Sequence, residues 1–271
     1  MVPKTIVITG ASDGTGVAAA RHLVHAGHRV VIVGRSPGKT AARARELGVD
    51  HAVADFAYLD EVRALAAALA ERYPRIDVLA NNAGAILGER AVTADGFEQT
   101  FQINYLAPFL LTNLLIDALL AARASVIQTA SNAARLSARL DLDDLGNTRR
   151  YSPVRAYGNA KRELILFTRE LHARYHDRGL SAVAFHPGGV ATNFARTSRS
   201  VVGTVFRSPI PRLLFQSPEQ AARQLIWLAT TEPGRGWESG GYYEKGRPRS
   251  LRIPAVGGEL WDRSTRLAGL A

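Results

Sequence analysis

Seven short apolar runs recur along the chain with room for a helix between most neighbours, and this alternation constrains the fold more than any other feature. The runs are KTIVIT (4–9), RVVIV (29–33), HAVA (51–54), DVLANN (77–82), SVIQTA (125–130), LSAVAF (180–185) and GGYYEK (240–245). Strands that are apolar throughout, rather than at alternate positions, suit a parallel sheet covered on both faces. The intervening segments 15–26, 37–47, 58–72, 97–121, 153–177 and 218–230 read as helices. The last of these carries a start signal, Ser217-Pro218-Glu219: a cap, a proline in the first turn and an early acid. Such alternation predicts βαβ units in a doubly wound α/β fold of about seven strands with helices on both faces. No repeat, low-complexity tract or linker marks a boundary, so residues 1–271 are expected to form one domain, with a loop-rich stretch at about 193–217.

The first run ends in TGASDGTG, Thr9 to Gly16, and leads into the helical VAAARHLVHAG. Gly10, Gly14 and Gly16 permit a tight turn, close approach of the backbone to a pyrophosphate and close helix-to-strand packing, while the helix start offers N–H groups to the anion. Placed between a strand and a helix, they point to a Rossmann-type sheet holding a dinucleotide on Gly10, Ser12, Asp13, Gly14, Thr15 and Gly16. The end of the second run selects the dinucleotide. An acid there would accept hydrogen bonds from the adenosine ribose, but this chain has VVIVGRS, with Gly34, Arg35 and Ser36. Arg35 can pair with the phosphate of NADP. Asp13 stands inside the turn, where a basic residue would have helped that phosphate. The expected cofactor is NADP(H), with NAD(H) as the alternative.

Composition narrows the function classes. The net charge is +10, from 34 basic against 24 acidic residues, a balance that can signal nucleic acid. Here the charge is mostly arginine scattered over many segments, and the densest patch, EKGRPRSLR at 244–252, has no interleaved aromatics. No nucleic-acid role is expected. The absence of cysteine excludes disulfides, iron–sulfur clusters and thiolate metal sites. MVPKTIVITG runs almost directly into a strand pattern, and no stretch is long and apolar enough to span a bilayer. The expectation is a cytoplasmic protein with no integral membrane segment.

Four ordered motifs carry a family resemblance: TGASDGTG, NNAG at 81–84, a serine after the fifth run at Ser131, and Tyr157 with Lys161 in AYGNAKRELILF. Together they resemble a short-chain dehydrogenase/reductase over essentially the whole chain. FQINYLAPFLLTNLL, HPGGVATN and GELWDRSTRLAGL are similar to the retinol-dehydrogenase-like and protochlorophyllide-reductase-like branch. The resemblance implies a catalytic set of Asn104, Ser131, Tyr157 and Lys161. It also implies that Asp55, beside Phe56, contacts the adenine, that Asn82, Ala83 and Gly84 line the cofactor, and that Pro187, Gly188, Val190 and Thr192 wrap its nicotinamide end. Members often carry serine directly before the lysine; Ala160 stands there in this chain.

The chemistry follows from elementary considerations. A carbonyl receiving hydride develops alkoxide charge and needs a proton, and a phenol delivers one if its pKa, about 10 in water, is brought toward neutrality. Lys161 lies one helical turn from Tyr157, on the same face, and favours the phenolate. The same ammonium can hydrogen-bond the nicotinamide ribose. Ser131 would polarise the substrate oxygen, and Asn104 by family analogy holds water in a proton relay behind the lysine. A small alcohol, ketone or aldehyde is the expected partner. A catalytically silent dinucleotide sensor or scaffold and an NADP-dependent epimerase or dehydratase are the alternatives.

Other candidates have simpler explanations. His172 and His176 have metal-ligand spacing, yet no glutamate follows the first histidine as a base and no third ligand is near in sequence. His22, His25 and His28 suit a helix C-terminus, and Asp141, Asp143 and Asp144 lie beside Arg149 and Arg150 as a charged surface. Residues 193–217 mix Val, Phe, Ile and Leu with arginine, which suits a cover over an apolar substrate and leaves open an acidic group or a membrane surface. The segment NYLAPFLLTNLLIDALLAA is apolar around much of its circumference, more than one sheet-facing stripe requires. Burial against a second subunit, in a homodimer or homotetramer, is the expected reason.

Overall fold

The computed structural model describes residues 2–135, 140–189 and 216–270. The strands β1 (Thr5–Thr9), β2 (Arg29–Gly34), β3 (Asp50–Val53), β4 (Val78–Asn81), β5 (Ser125–Thr129), β6 (Ser181–His186), β7 (Tyr242–Glu244) and β8 (Arg247–Pro248) form one sheet in the order β3-β2-β1-β4-β5-β6-β7-β8. All neighbours through β7 are parallel, and β8 is antiparallel. The expected seven runs are therefore the seven parallel strands of a Rossmann-type sheet. The eighth escaped the sequence reading because it is two exposed polar-flanked residues, joined to β7 by Lys245 (φ 52°) and Gly246 (φ 70°), the left-handed pair of a tight hairpin.

Helices cover both faces because the strands are apolar on both. On one face α1 (Gly14–His25), α2 (Pro37–Leu47) and α8 (Pro218–Thr230) bury Ala18, Leu23, Ala44, Leu225 and Leu228 against Ile6, Ile8, Ile32 and Val183. On the other, α3 (Leu59–Arg72), α5 (Ala107–Leu114), α6 (Ile116–Ala122), α7 (Pro153–Tyr175) and α9 (Gly257–Leu267) close over Val7, Val31, Leu79 and Val126. The Ser217 capping box at the start of α8 is complete, as its sequence signal predicts.

The expected continuous helix over 97–121 is broken. A short α4 (Gln99–Phe101) passes into a π-turn, Gln102–Leu106, then α5 and α6, with a 63° bend between the two parts at Leu115. Pro108 supplies a reason for the first break: it lacks the N–H that would bond to the Asn104 carbonyl, and its ring crowds that turn. Among the described residues no single helix is long and apolar enough to cross a membrane.

The apolar circumference of α5 is covered within the chain. Phe109, Leu110 and Leu111 are each 0% exposed; α3 packs along α5, and α9 reaches Phe109. Trp261 packs on Phe109 and Phe167 at ring-centroid distances of 5.2 and 5.6 Å. The Tyr105 and Ser264 hydroxyls hydrogen-bond at 2.8 Å, and the Arg174 guanidinium caps the outer side of Trp261 at 4.5 Å. The apolar character of α5 is thus matched by packing within the chain, in which α9 takes part at Phe109.

Candidate active site

The strand order reverses between β1 and β4, so the loops leaving their carboxyl ends diverge and open a crevice. The glycine turn fills its floor. Gly10 (φ 66°) and Gly14 (φ 55°) are left-handed, and a Cβ on Gly10 would stand 2.8 Å from the Ala83 Cα. A Cβ on Gly16 would stand 2.5 Å from the Gly10 carbonyl oxygen. These two glycines thus allow α1 and the NNAG segment to approach β1 closely. Asn82 latches that approach: its backbone N–H donates to Thr9 Oγ1 at 3.0 Å and its Nδ2 to the Thr9 carbonyl at 3.0 Å. The Ala83 N–H donates to the same hydroxyl, also at 3.0 Å. Asn81, on the opposite side of β4, donates to Thr112 Oγ1 at 2.9 Å and ties the strand to α5.

At the end of β2 the crevice is lined by Ser12, Arg35, Ser36 and Lys39. Gly34 lets the turn lie flat, since a side chain there would collide with Thr40 Oγ1 and Ser12 Oγ. Ser36 is the N-cap of α2, yet its side chain makes no capping bond. Lys39, which the sequence reading passed over, comes from the first turn of α2 and lies 3.9 Å from Asp13 Oδ2. Asp13 caps α1 through Gly14 N–H at 2.8 Å. The acid that looked misplaced in the turn is therefore a helix cap beside a cation. Asp55 and Phe56 line the adjoining wall, and Asp55 Oδ1 accepts from Ala57 N–H at 3.0 Å.

Ser131 follows β5, while Tyr157 and Lys161 sit near the start of α7, whose N-cap Ser152 and Pro153 fix the first turn. The three are 8%, 6% and 1% exposed. Lys161 Nζ donates to the Thr129 carbonyl at 3.0 Å and lies 5.5 Å from the Tyr157 ring centroid. Burial pushes the Tyr157 phenol up, with a hydrogen bond to Ser131 pulling the other way. Burial lowers the Lys161 ammonium to about 7. The chain by itself therefore holds Tyr157 as a proton donor.

Asn104 lies in the π-turn and is fully buried. Its side chain is committed: Oδ1 accepts from Ala85 N–H at 3.1 Å, and Nδ2 donates to the Ala85 and Thr100 carbonyls at 2.9 Å each. Its own carbonyl is the group from which Pro108 withholds a donor.

One cleft of about 860 Å³ brings together most of the expected residues, Gly10, Ser12, Asp13, Gly14, Thr15, Gly16, Arg35, Ser36, Asp55, Phe56, Asn82, Ala83, Gly84, Ser131, Tyr157, Lys161, Pro187 and Gly188, while Asn104, expected in the catalytic set, does not line it. Gly188 (φ 97°) packs against the side chain of Gln216, whose N–H donates to the Gly189 carbonyl at 2.7 Å. Val190, Thr192 and the expected cover at 193–217, apart from Gln216 and Ser217, lie outside the described residues. Ile86, Leu87, Val154 and His186 also line the cleft and were not foreseen. His172 and His176 stack at 4.6 Å, and no group of three metal-ligating side chains occurs among the described residues.

The residues fit a dinucleotide by the chemistry of their donors: hydroxyls and cations at one end, a glycine turn at a helix start, and a buried phenol and amine at the other.

Comparison with known proteins agrees with this geometry. The pattern of the short chain dehydrogenase family matches residues 4–202. The chain is 40% identical over 278 residues to a candidate daunorubicin C-13 ketoreductase, DnrU, of Streptomyces sp. (strain C5), covering 98% of this chain and 93% of that protein. It is 36% identical to human retinol dehydrogenase 13, covering 98% and 85%. The crystal structure of an uncharacterised protein from Mycobacterium Paratuberculosis superposes with a TM-score of 0.77 at 30% identity, covering 98% and 93%.

Proposed function

The chain belongs to the short chain dehydrogenase family, and from that premise we propose that it transfers hydride between NADP(H) and the alcohol or carbonyl group of a small, largely apolar molecule. The observation that carries this reading is the meeting of Ser131, Tyr157 and Lys161 at the buried end of a cleft whose other end is the glycine turn. The names of the two curated relatives, a ketoreductase and a retinol dehydrogenase, support carbonyl and alcohol chemistry.

When bound, the nicotinamide supplies or accepts the hydride. Ser131 and Tyr157 offer hydroxyl donors to the oxygen on which charge develops, and Tyr157 delivers the proton in reduction. The upward push on Tyr157 keeps it protonated near neutrality, which suits that direction. Oxidation requires the phenolate, and Lys161 supports it when charged, 5.5 Å from the ring. Lys161 is also the residue to hydrogen-bond the nicotinamide ribose. Asn104 supports a proton relay through its carbonyl, since its side chain is held by Ala85 and Thr100.

Preference for NADP rests on Arg35 and Lys39, two cations flanking the hydroxyls of Ser12 and Ser36 where a ribose-binding acid would otherwise stand. The apolar character of the substrate rests on Ile86, Leu87 and the 41% exposed Val154.

The test follows NADPH absorbance against a panel of aldehydes, ketones and quinones. Tyr157→Phe lowers kcat by at least about 100-fold. Unchanged turnover in that variant overturns the mechanism. Intact NADPH binding without turnover of any panel member points instead to a sensor.

A further inference from the structure

His186 ends β6 and pairs in register with Glu244 of β7. Two residues earlier on each strand, Ala184 and Tyr242 share an apolar cluster with Ala130 and Ile165 of α7. Side chains two apart on a strand share a face, so His186 and Glu244 project on the α7 side, beside the catalytic group. His186 lines the cleft with Ser131, Asn132 and Tyr157.

The polar groups around it are already engaged. Glu244 Oε1 accepts from the Tyr242 hydroxyl at 2.9 Å and from Arg135 Nη2 at 2.9 Å, and Arg249 Nε lies 3.9 Å from Oε2. Glu244 thereby offsets part of the Arg135 charge. His186 differs: its Nδ1 is buried and has no hydrogen-bond partner among the described residues. Burial holds the imidazole below its ordinary value, Arg135 and Lys245 push the same way, and Glu244 opposes them. A neutral imidazole donates at one ring nitrogen and accepts at the other. It suits a hydroxyl or a carbonyl and brings no charge for a carboxylate.

We propose that His186 positions a second polar group of the substrate, and that the preferred substrates are neutral ketones or aldehydes bearing a hydroxyl or second carbonyl next to the reacting carbon. Ser131 follows β5 and His186 ends β6, neighbouring strands about 4.8 Å apart, and both line the same cleft, so a substrate whose carbonyl meets Ser131 can present a second nearby oxygen to His186. The remaining wall of Ile86, Leu87 and Val154 receives the apolar body of the molecule. This inference rests on the oxidoreductase reading of the same cleft.

The experiment uses the full chain with NADPH and three probes: acetophenone, 2-hydroxyacetophenone and the anion phenylglyoxylate. The parent protein favours 2-hydroxyacetophenone over acetophenone by roughly tenfold in kcat/KM, the worth of one neutral hydrogen bond, and handles phenylglyoxylate worst. His186→Phe keeps a ring of similar size without nitrogen. It raises KM for the hydroxyketone roughly tenfold more than it changes KM for acetophenone. His186→Gln, with an amide near the Nε2 position, retains most of the discrimination. Thermal melts and NADPH fluorescence titrations of each variant confirm an intact fold and cofactor site. A parallel loss for both ketones, or no discrimination in the parent protein, overturns the assignment of His186 while leaving the oxidoreductase reading in place. Parental turnover of acetophenone by Tyr157→Phe sinks that reading itself.

Discussion

Lys161→Met removes a buried amine that the fold holds at a cost. The ordinary lysine value of 10.5 falls to about 7 at this site because burial strips water from the ammonium. At about 1.36 kcal/mol per pH unit, the charged form costs the folded state about 5 kcal/mol. Between the two values the unfolded chain carries this proton and the folded chain does not. Unfolding therefore takes up a proton, and the contribution to stability rises with pH from about 7 toward 10.5. Below about 7 both states are protonated and the cost is fully expressed. The methionine variant has no such titration, and the loss of the bond to the Thr129 carbonyl is common to every pH. Urea unfolding of the cofactor-free parent and variant, followed by circular dichroism at constant ionic strength, isolates the term. The stability of the parent relative to the variant is expected to increase by about 2 kcal/mol between pH 7 and pH 9. Parallel stability curves over that range would refute the desolvation argument, and with it the statement that the amine changes charge near neutrality.

Arg35→Asp, alone and with Lys39→Ala, is expected to lower the ratio of kcat/KM for NADPH over NADH by about 10- to 100-fold, the worth of a charge-assisted contact; an unchanged ratio would leave both as surface cations. Trp261→Ala strips the cover from Phe109 and Phe167 and is expected to cost about 3 to 5 kcal/mol in urea unfolding; a loss under about 1 kcal/mol would mean that α9 packs without consequence. Glu163, fully buried on α7, has no hydrogen-bond partner for either carboxyl oxygen among the described residues, and burial followed by the charge of Glu98 raises its pKa. An acid raised in the fold stabilises it at low pH and loses that contribution as pH rises above the ordinary value of 4.5. Glu163→Gln should therefore gain stability relative to the parent between pH 5 and pH 8, and a gap independent of pH would contradict the assignment.

The features most legible in the sequence are those whose physics is local. The glycine turn, NNAG and the Tyr157 and Lys161 pair each fit within a few residues, and the turn declares itself by lying between a strand and a helix. What escaped depends on elements brought together from afar. Lys39 joins the cleft because α2 returns beside Asp13, and His186 stands against Glu244 because of the β6–β7 register. The misreading of 97–121 as one helix had a visible warning in Pro108, masked by the apolar residues on either side. The excess of apolar surface on α5 was recognised, but α3 packs along it and Trp261 of the amphipathic α9 reaches it at Phe109.

That cover has a consequence for how the chain is made. Tyr105 meets Ser264 across 159 residues, so everything α9 shields leaves the ribosome long before α9 does. At ordinary translation rates the interval is on the order of ten seconds. Throughout it the sides of Phe109 and Phe167 that Trp261 will cover stand open to solvent, to chaperones and to the same face of another nascent copy. Crowded polysomes and slow codons before residue 257 should therefore weigh more on the yield of this protein than its final stability does, and a bulky fusion placed just after α9 loads the one helix that has to dock last.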